Sequence, residues 1–563
     1  MAGDSRSSEK SSHDVNYQLL LVDEMKRIDH SSRRMRLFAL LFLLSGGVLT
    51  TLAQTNAPMP RKMSLEDCIE LALHHNLDIQ IKRYNPEINA YNLGATYGAY
   101  DPSFSFSGEH DYDQSPGGID AQGRPFAGTK IESDSYSGGF QGLLPWGLSY
   151  NLGISLSDQT TIRPGSTATG PTFFTNQVFD VGLNANNSFI TTNFPSPSTS
   201  SEIFSGRAGF LQLRQPLLKN FWIDSTRLQI LLDKKTLKIS ELDLRFQIIT
   251  TVTAVEQAYY NLIFTQDSIT VQQKALELAE RQLSENKKRV EVGAMAPLDE
   301  KQAESLAAQS RSDLLGALGT EETQQRVLKS LLSDDYSKWE NVSIQPTVAL
   351  VAVPEKFNLQ ESWRKGLSMR PDFLEQKLSL EQQGYRIRFA RNQLFPELDL
   401  FGTGGYGSSS TTFNGYLDQL GGRDNPFYTI GASITIPIGN TGARNNYRAA
   451  KAAKEQIALQ VKQFEQNVLI QIENAISVAN TSFQRVDATR EARIYAEAAL
   501  DAEQKKLESG KSTSFVVLQL TRDLTTARSN EIRALADYNI ALAQIALNEG
   551  STLDRRHVTL EWK

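Results

Sequence analysis

Few stretches of this 563-residue chain have the residue types and spacing that chemistry requires. Gly402-Thr403-Gly404-Gly405-Tyr406-Gly407 has the glycine spacing of a dinucleotide-binding loop and follows a strand-like segment. Such a loop works only where a helix N-terminus turns its free N–H groups and positive dipole end toward phosphate. Ser408 to Thr412 comes next, no helix is predicted to open there, and the glycines read as strand glycines. Gly510-Lys511-Ser512 has the ending of a phosphate-binding loop, but position 505 is Lys instead of Gly, and a helical segment precedes it where a strand belongs. His74 and His75 are neighbours in sequence and cannot share a helix face, so they read as solvated residues near a helix end. The single cysteine, Cys68, excludes an intrachain disulfide and a cysteine-based metal cluster. No catalytic, cofactor-binding or metal constellation emerges, and an enzyme is not expected. A net charge of −6 with scattered Lys and Arg leaves no electrostatic footprint for nucleic acid.

The elements are more informative than the side chains. Leu217 to Val292 runs without proline or glycine, between Pro216 and Gly293. Roughly 75 residues of helix would reach ~110 Å, far beyond the ordinary globular helix. Ala443 to Ser509 is a second such rod, closed by Gly510. On the second rod Val461, Phe464, Val468, Ile472, Ala475, Ala479, Phe483 and Val486 form an apolar stripe. Its run 464–475–486 is an eleven-residue repeat, a mean step of about 3.67, which suits nearly straight helices packed side by side in a wall.

The chain is internally duplicated. Ser64-Leu65-Glu66-Asp67 is a capped helix start whose pattern continues to about Tyr97, and Asp101-Pro102 then leads into the alternating segment Ser103 to Ser107. Asn358 to Glu361 opens the same series, which runs to Pro396 and the segment Glu397 to Leu400. Leu359 minus Leu65, Asp372 minus Asp78 and Pro396 minus Pro102 all give 294, a constant register that marks a duplicated unit. Leu211 to Leu217 matches Ala432 to Ile438, each a strand ending at proline before a rod. Each rod ends in a glycine turn, at Gly293 or Gly510, followed by a shorter helix over 298–332 or 513–548. Half-length helices over 64–98 and 298–333, and over 358–393 and 512–549, would together match the rod beside them. The segments where they meet, 334–357 and 551–563, predict a belt with small strands at Val342 to Ile344 and Val558 to Leu560.

Tyr428, Ile430, Ala432, Ile434, Ile436 and Ile438 face one way, and Thr429, Gly431, Ser433 and Thr435 the other. Strands with one apolar and one small polar face suit a barrel with lipid outside and water inside. Phe221, Trp222 and Trp146 read as interfacial aromatics. The first repeat has about 110 residues between its matched strands against about 35 in the second, too many for loops alone. Tyr136 to Leu156 reads as an extra hairpin turning at Pro145-Trp146-Gly147, with long surface loops over 113–135 and 158–200.

At the N-terminus, Arg33 to Arg36, the apolar run from Leu37 and the small residues ending at Ala53 have the order of a secretory signal. The mature chain is expected to begin near Gln54, with translation starting at Met25 or Met35. No cysteine stands at the cleavage site, so a lipoprotein anchor is not supported. The expected division is 1–53 extension and signal, 54–350 repeat 1, 351–550 repeat 2, and 551–563 an equatorial tail.

The tandem plan of helix, two strands, long helix, glycine turn and helix resembles the TolC-like outer-membrane efflux family. Ser64 to Leu73, Gln215-Pro216-Leu217-Leu218, Val292-Gly293-Ala294 and Leu298 with Gln302-Ala303 are similar to its motifs, and the resemblance covers about residues 60–550. It implies an α+β membrane protein, a trimeric β-barrel continuing into a long periplasmic α-helical barrel, built from two tandem repeats per protomer. It implies an exit duct in outer-membrane lipid, docked through its tips onto a periplasmic membrane-fusion adaptor and through that serving an inner-membrane pump of RND or ABC type. One protomer's few strands have open edges and cannot span a membrane until pooled, which supports the homotrimer independently. Some members carry an aspartate ring beyond the second tip; the matching positions here are Val516 and Gln519, so that gate is not carried over.

Val292, Gly293, Ala294, Ser509, Gly510 and Lys511 are thus the expected docking tips. Glu291, Asp299 and Glu300 by the first tip and Lys505, Lys506 and Lys511 by the second are unlike charges able to latch neighbouring hairpins in a trimer. The alternatives are an elongated envelope scaffold without a lumen and an anchored coiled-coil interaction protein that keeps segment 37–53.

Overall fold

The computed structural model describes residues 59–119, 125–163, 167–171, 191–195 and 198–559. The expected signal at 33–53 and the mature start near Gln54 lie outside the described residues.

The two rods are α3 (Ser225–Glu291), of 67 residues, and α8 (Thr441–Glu508), of 68, each about 100 Å long at 1.5 Å per residue. The first starts later than Leu217. Asn220 takes a left-handed φ of 64°, and the Asp224 carboxylate caps the helix by accepting from the Arg227 amide. Absence of proline and glycine over 217–224 therefore did not make that stretch helical. Two 36-residue helices, α4 (Pro297–Leu332) and α9 (Ser514–Glu549), return along the rods.

The half-length helices at the other end are each broken in two. The first is α1 (Leu65–His75) and α2 (Leu77–Tyr97); the second is α5 (Leu359–Met369) and α6 (Pro371–Asn392). The breaks fall at Asn76 and Arg370, again 294 residues apart (370 minus 76). Asn76 has an extended backbone and its side chain caps α2, while Pro371 supplies no N–H to continue α5. Each break receives the end of a returning helix. The Asn76 amide donates to the Leu331 carbonyl, and at Gly550, whose φ is 73°, a Cβ would meet the Arg370 backbone at 2.9 Å.

Here the belt forms. Strand β1 (Met59–Met63), read in the sequence as a linker, pairs in parallel with the expected strand β6 (Val342–Pro346). Met63, Leu65, Cys68, Tyr259, Ile344 and Leu553 share one core cluster, and the Tyr259 hydroxyl donates to the Met63 carbonyl. The strand expected at 558–560 is not there. Val558 and Thr559 are irregular, Leu560 lies outside the described residues, and the tail instead forms the short helix α10 (Thr552–Arg555). The tail is held by Arg556, which donates to Glu256, a carboxylate only 2% exposed, at 2.6 Å.

Six strands form one antiparallel sheet: β2 (Ser103–Gln114), β3 (Lys130–Leu143), β4 (Ser149–Arg163), β5 (Thr199–Pro216), β7 (Glu397–Ser410) and β8 (Pro426–Thr435). Their order is β8-β7-β5-β4-β3-β2, so the extra hairpin joins the main sheet. Parts of the expected loops 113–135 and 158–200 are strand, including the small pairs Gly118–Ile119 with Pro125–Phe126 and Thr167–Pro171 with Thr191–Pro195. Gly402 to Gly407 lies inside β7, but a helix does follow, contrary to expectation: α7 (Phe413–Gly422), capped by Thr412. It packs on β5 and β7, and Tyr416 donates to the Ser155 carbonyl. Below the sheet α2 packs on α3, α3 on α6 and α6 on α8, a single layer of helices, and the expected stripe on α8 packs against α5 and α9.

Candidate functional site

The sheet register sorts its side chains into two faces, since residues directly opposite in an antiparallel ladder point the same way. One row crosses all six strands through Phe104, Phe140, Leu152, Leu211, Gly404 and Tyr428. The adjacent row runs through Ser103, Gln141, Asn151, Gln212, Thr403 and Thr429. The first face is exposed yet apolar: Tyr428 and Ile430 are 82% and 78% exposed. On the second, Arg214 reaches both Asp399 and Glu397, and Lys219 reaches Glu397 from below. Arg207 lies over the rings of Phe210 and Phe427 on that face. Neither cluster was anticipated from the sequence, because their members are far apart in the chain. Among the described residues, edge strands β2 and β8 have no further partner.

The glycine turns have matching geometry. Gly293 and Gly510 each have φ of 74°. At the first, the Ala294 amide donates to the Arg289 carbonyl and that of Gly293 to Val290; at the second, Lys511 donates to Lys506 and Gly510 to Leu507. This pair of hydrogen bonds around a left-handed residue is the Schellman ending, which satisfies the last helix carbonyls. Nothing lies within 4 Å of a Cβ at either glycine, and Val292 is 79% exposed. Both turns therefore present backbone to an open surface, with Val292 and Ala294 at the first and Ser509 and Lys511 at the second.

The charged residues around them are partly engaged inside the protomer. Lys505 pairs with Asp501 and Lys506 with Glu503 on their own helix, and Asp299 caps the first turn of α4 through the Ala296 amide. Hydrogen bonding from Ser512, then Lys506, holds the Glu503 carboxyl below its ordinary range. Among the described residues Glu291, Glu300 and Lys511 make no ion pair.

One residue joins the two tips. Asn286, fully buried on α3, donates to the Ser514 hydroxyl at the start of α9 and to the Asp299 carbonyl on α4. Gln282 donates to its oxygen, and Ala279, Leu306 and Leu518 pack just beyond. A polar residue on a rod's buried stripe was the available signal; its partner could not be read. Val516 and Gln519 lie exposed one turn further along α9. The His74–His75 pair is exposed as expected, with His75 at 3.3 Å from Asp334.

The fold is that of outer-membrane channels. The Campylobacter jejuni CmeC outer membrane channel superposes with a TM-score of 0.58 at 17% identity, covering 92% of this chain and 94% of that one. Among curated proteins, outer membrane protein TolC of Vibrio cholerae is 24% identical over 306 residues, covering 52% of this chain and 66% of that protein. TolC of Escherichia coli K12 is 24% identical over 320 residues, covering 54% and 63%. Both alignments span just under two-thirds of the relative's length. The pattern of the family described as Outer membrane efflux protein matches residues 180–333 and 364–550. The chain belongs to that family, and its place is the outer membrane.

Proposed function

We propose that this protein is the passive exit duct of a tripartite efflux or type I secretion system. Three copies pool their sheets into one barrel, and their helices continue it as a tunnel through the periplasm. The observation that carries this reading is the six-stranded sheet, open at both edges among the described residues and apolar on one face only, set directly on a single layer of helices that includes both rods. An open edge cannot stand in lipid, so the free edges of β2 and β8 call for each other in neighbouring copies. Three copies of six strands make an eighteen-stranded barrel, wide enough for an aqueous channel. The exposed apolar residues Leu77, Ile81, Tyr84, Ile88 and Tyr91, spaced along one stripe of the outermost helix α2, suit the same neighbour contact.

The tips Val292 to Ala294 and Ser509 to Lys511 dock a periplasmic adaptor, which links the duct to an inner-membrane pump of RND or ABC type. Lys511 with Glu291 and Glu300 then supply the latch between neighbouring hairpins, since Lys505 and Lys506 are already paired. The test is reconstitution in planar bilayers. A heat-resistant trimer with discrete single-channel conductance is expected; a trimer that never conducts would leave an envelope scaffold.

A further inference from the structure

A cavity of about 610 Å³ lies where the sheet meets the helices, lined by Tyr97, Trp222, Ile223, Tyr385, Arg388 and Arg391 among others. It is on the apolar side of the wall. A second cavity near the same height is lined by Phe389, Ala390, Gln393, Glu397 and Thr435. Glu397 and Thr435 stand opposite each other on the polar sheet face, with Asp399 and Ser433 one step on. At 100° per residue, Arg388 and Arg391 emerge 100° to 160° around α6 from Ala390 and Gln393. Gln215, on the apolar-face row with Leu400, donates to the Trp146 carbonyl in the turn whose Pro145 roofs the first cavity.

The cavity therefore continues the exposed apolar face of the sheet at its helix-side end. Its walls are aromatic and aliphatic, and Trp222 is 78% exposed at its mouth. Its charged groups are all guanidiniums, beside the amide of Asn392 and the tyrosine hydroxyls. Arg227 is occupied by Asp224 and the Asn220 carbonyl, but Arg388 and Arg391 meet no carboxylate among the described residues. Arg388 sits instead near the Tyr385 ring, at 5.6 Å. An apolar cleft rimmed by aromatics and carrying two uncompensated, planar, bidentate donors suits an acyl chain joined to a phosphodiester.

We propose, resting on the barrel reading above, that this cavity is a specific site for an anionic phospholipid of the periplasmic leaflet. Arg388 and Arg391 bind the headgroup phosphate, and Trp222 and Ile223 pack the adjoining chain. The lipid would fix the angle at which helix layer and sheet meet in each protomer.

The test uses purified full-length protein in detergent, with bound lipid counted by native mass spectrometry. Phosphatidylglycerol, phosphatidylcholine with the same chains and inorganic phosphate are the three probes. Phosphatidylglycerol is expected to be retained at one per protomer and held about tenfold more tightly than phosphatidylcholine. Arg388→Gln with Arg391→Gln should remove that preference, and Ile223→Trp, which fills the cavity but leaves both guanidiniums, should weaken retention as well. Bilayer conductance of the same preparation reports on the duct separately. A conducting trimer that holds both lipids equally, or whose arginine variant binds as before, overturns the site and leaves the duct standing. Displacement of phosphatidylglycerol by millimolar inorganic phosphate overturns it too, in favour of a free anion. Arginine-dependent retention without conductance supports the site and counts against the duct.

Discussion

The Nδ2 of Asn286 donates to the Oγ of Ser514 at 2.6 Å, across 228 residues of sequence. With its second bond to the Asp299 carbonyl, this one amide ties the hairpin of α3 and α4 to the start of α9. Replacing Asn286 with Leu leaves a buried hydroxyl without that partner, a loss of about 1–3 kcal/mol. The two tips should then move independently. Hydrogen–deuterium exchange is expected to rise over 286–300 and 510–520 while the sheet and belt stay protected. Unchanged exchange at both tips would show that the apolar contacts around Leu518 suffice to join them.

Leu152 stands between Phe140 and Leu211 on the apolar row, and Gln212 between Asn151 and Thr403 on the polar one. Leu152→Arg should cost roughly 2–4 kcal/mol per protomer near the bilayer midplane and lower the trimer yield. Gln212→Arg, one residue away on the neighbouring strand, should assemble normally and alter ion selectivity. Equal tolerance of both substitutions in membrane fractions would mean that the sheet is not divided between lipid and water as its register indicates.

At Gly293 and Gly510 any β-branched residue must adopt a left-handed backbone, a strain of roughly 1–2 kcal/mol each. Gly293→Val and Gly510→Val should reshape the turns and abolish crosslinking to the adaptor, with the trimer intact because no neighbouring atom is displaced. Lys511→Glu should raise the conductance of the isolated trimer if Lys511 faces Glu291 or Glu300 of the next protomer. Adaptor crosslinking and conductance both at wild-type levels would place dock and gate elsewhere.

Burial pushes the Glu375 carboxyl on α6 up from 4.5 to about 7, and Asp243 and Asp372 push the same way against the opposing Lys82. The folded protein thus keeps a proton that the unfolded chain releases, so stability falls as pH rises from about 4.5 to about 7 and stays lower above. Glu375→Gln should remove that fall and stabilise the protein at about pH 8 more than at about pH 5, by on the order of 1–2 kcal/mol once solvent screening is allowed for, which is read as a larger rise in melting temperature at the higher pH. Parallel melting curves of variant and wild type across this range would refute the assignment.

Much of the architecture was legible in the chain itself because its signals are local. Proline and glycine punctuate the rods, and a glycine at 293 and at 510 marks a left-handed turn whatever surrounds it. The repeat was legible because one offset holds from Leu65 to Pro102 and again from Leu359 to Pro396. Strand alternation separated an apolar from a polar face before any partner was known. What required the tertiary structure was everything that depends on which segments meet. The hairpin at 130–163 belongs to the main sheet because β4 finds β5, a pairing no local pattern encodes. Met59 to Met63 became a strand because it pairs with β6, and Val558 makes no such pairing among the described residues. Asn286, Arg214 and Arg388 gained their roles from groups up to hundreds of residues distant. A side chain's periodicity reports which way it points, but the free energy of a buried hydrogen bond, an ion pair or an open cavity is set by what stands across from it, and only the folded chain supplies that.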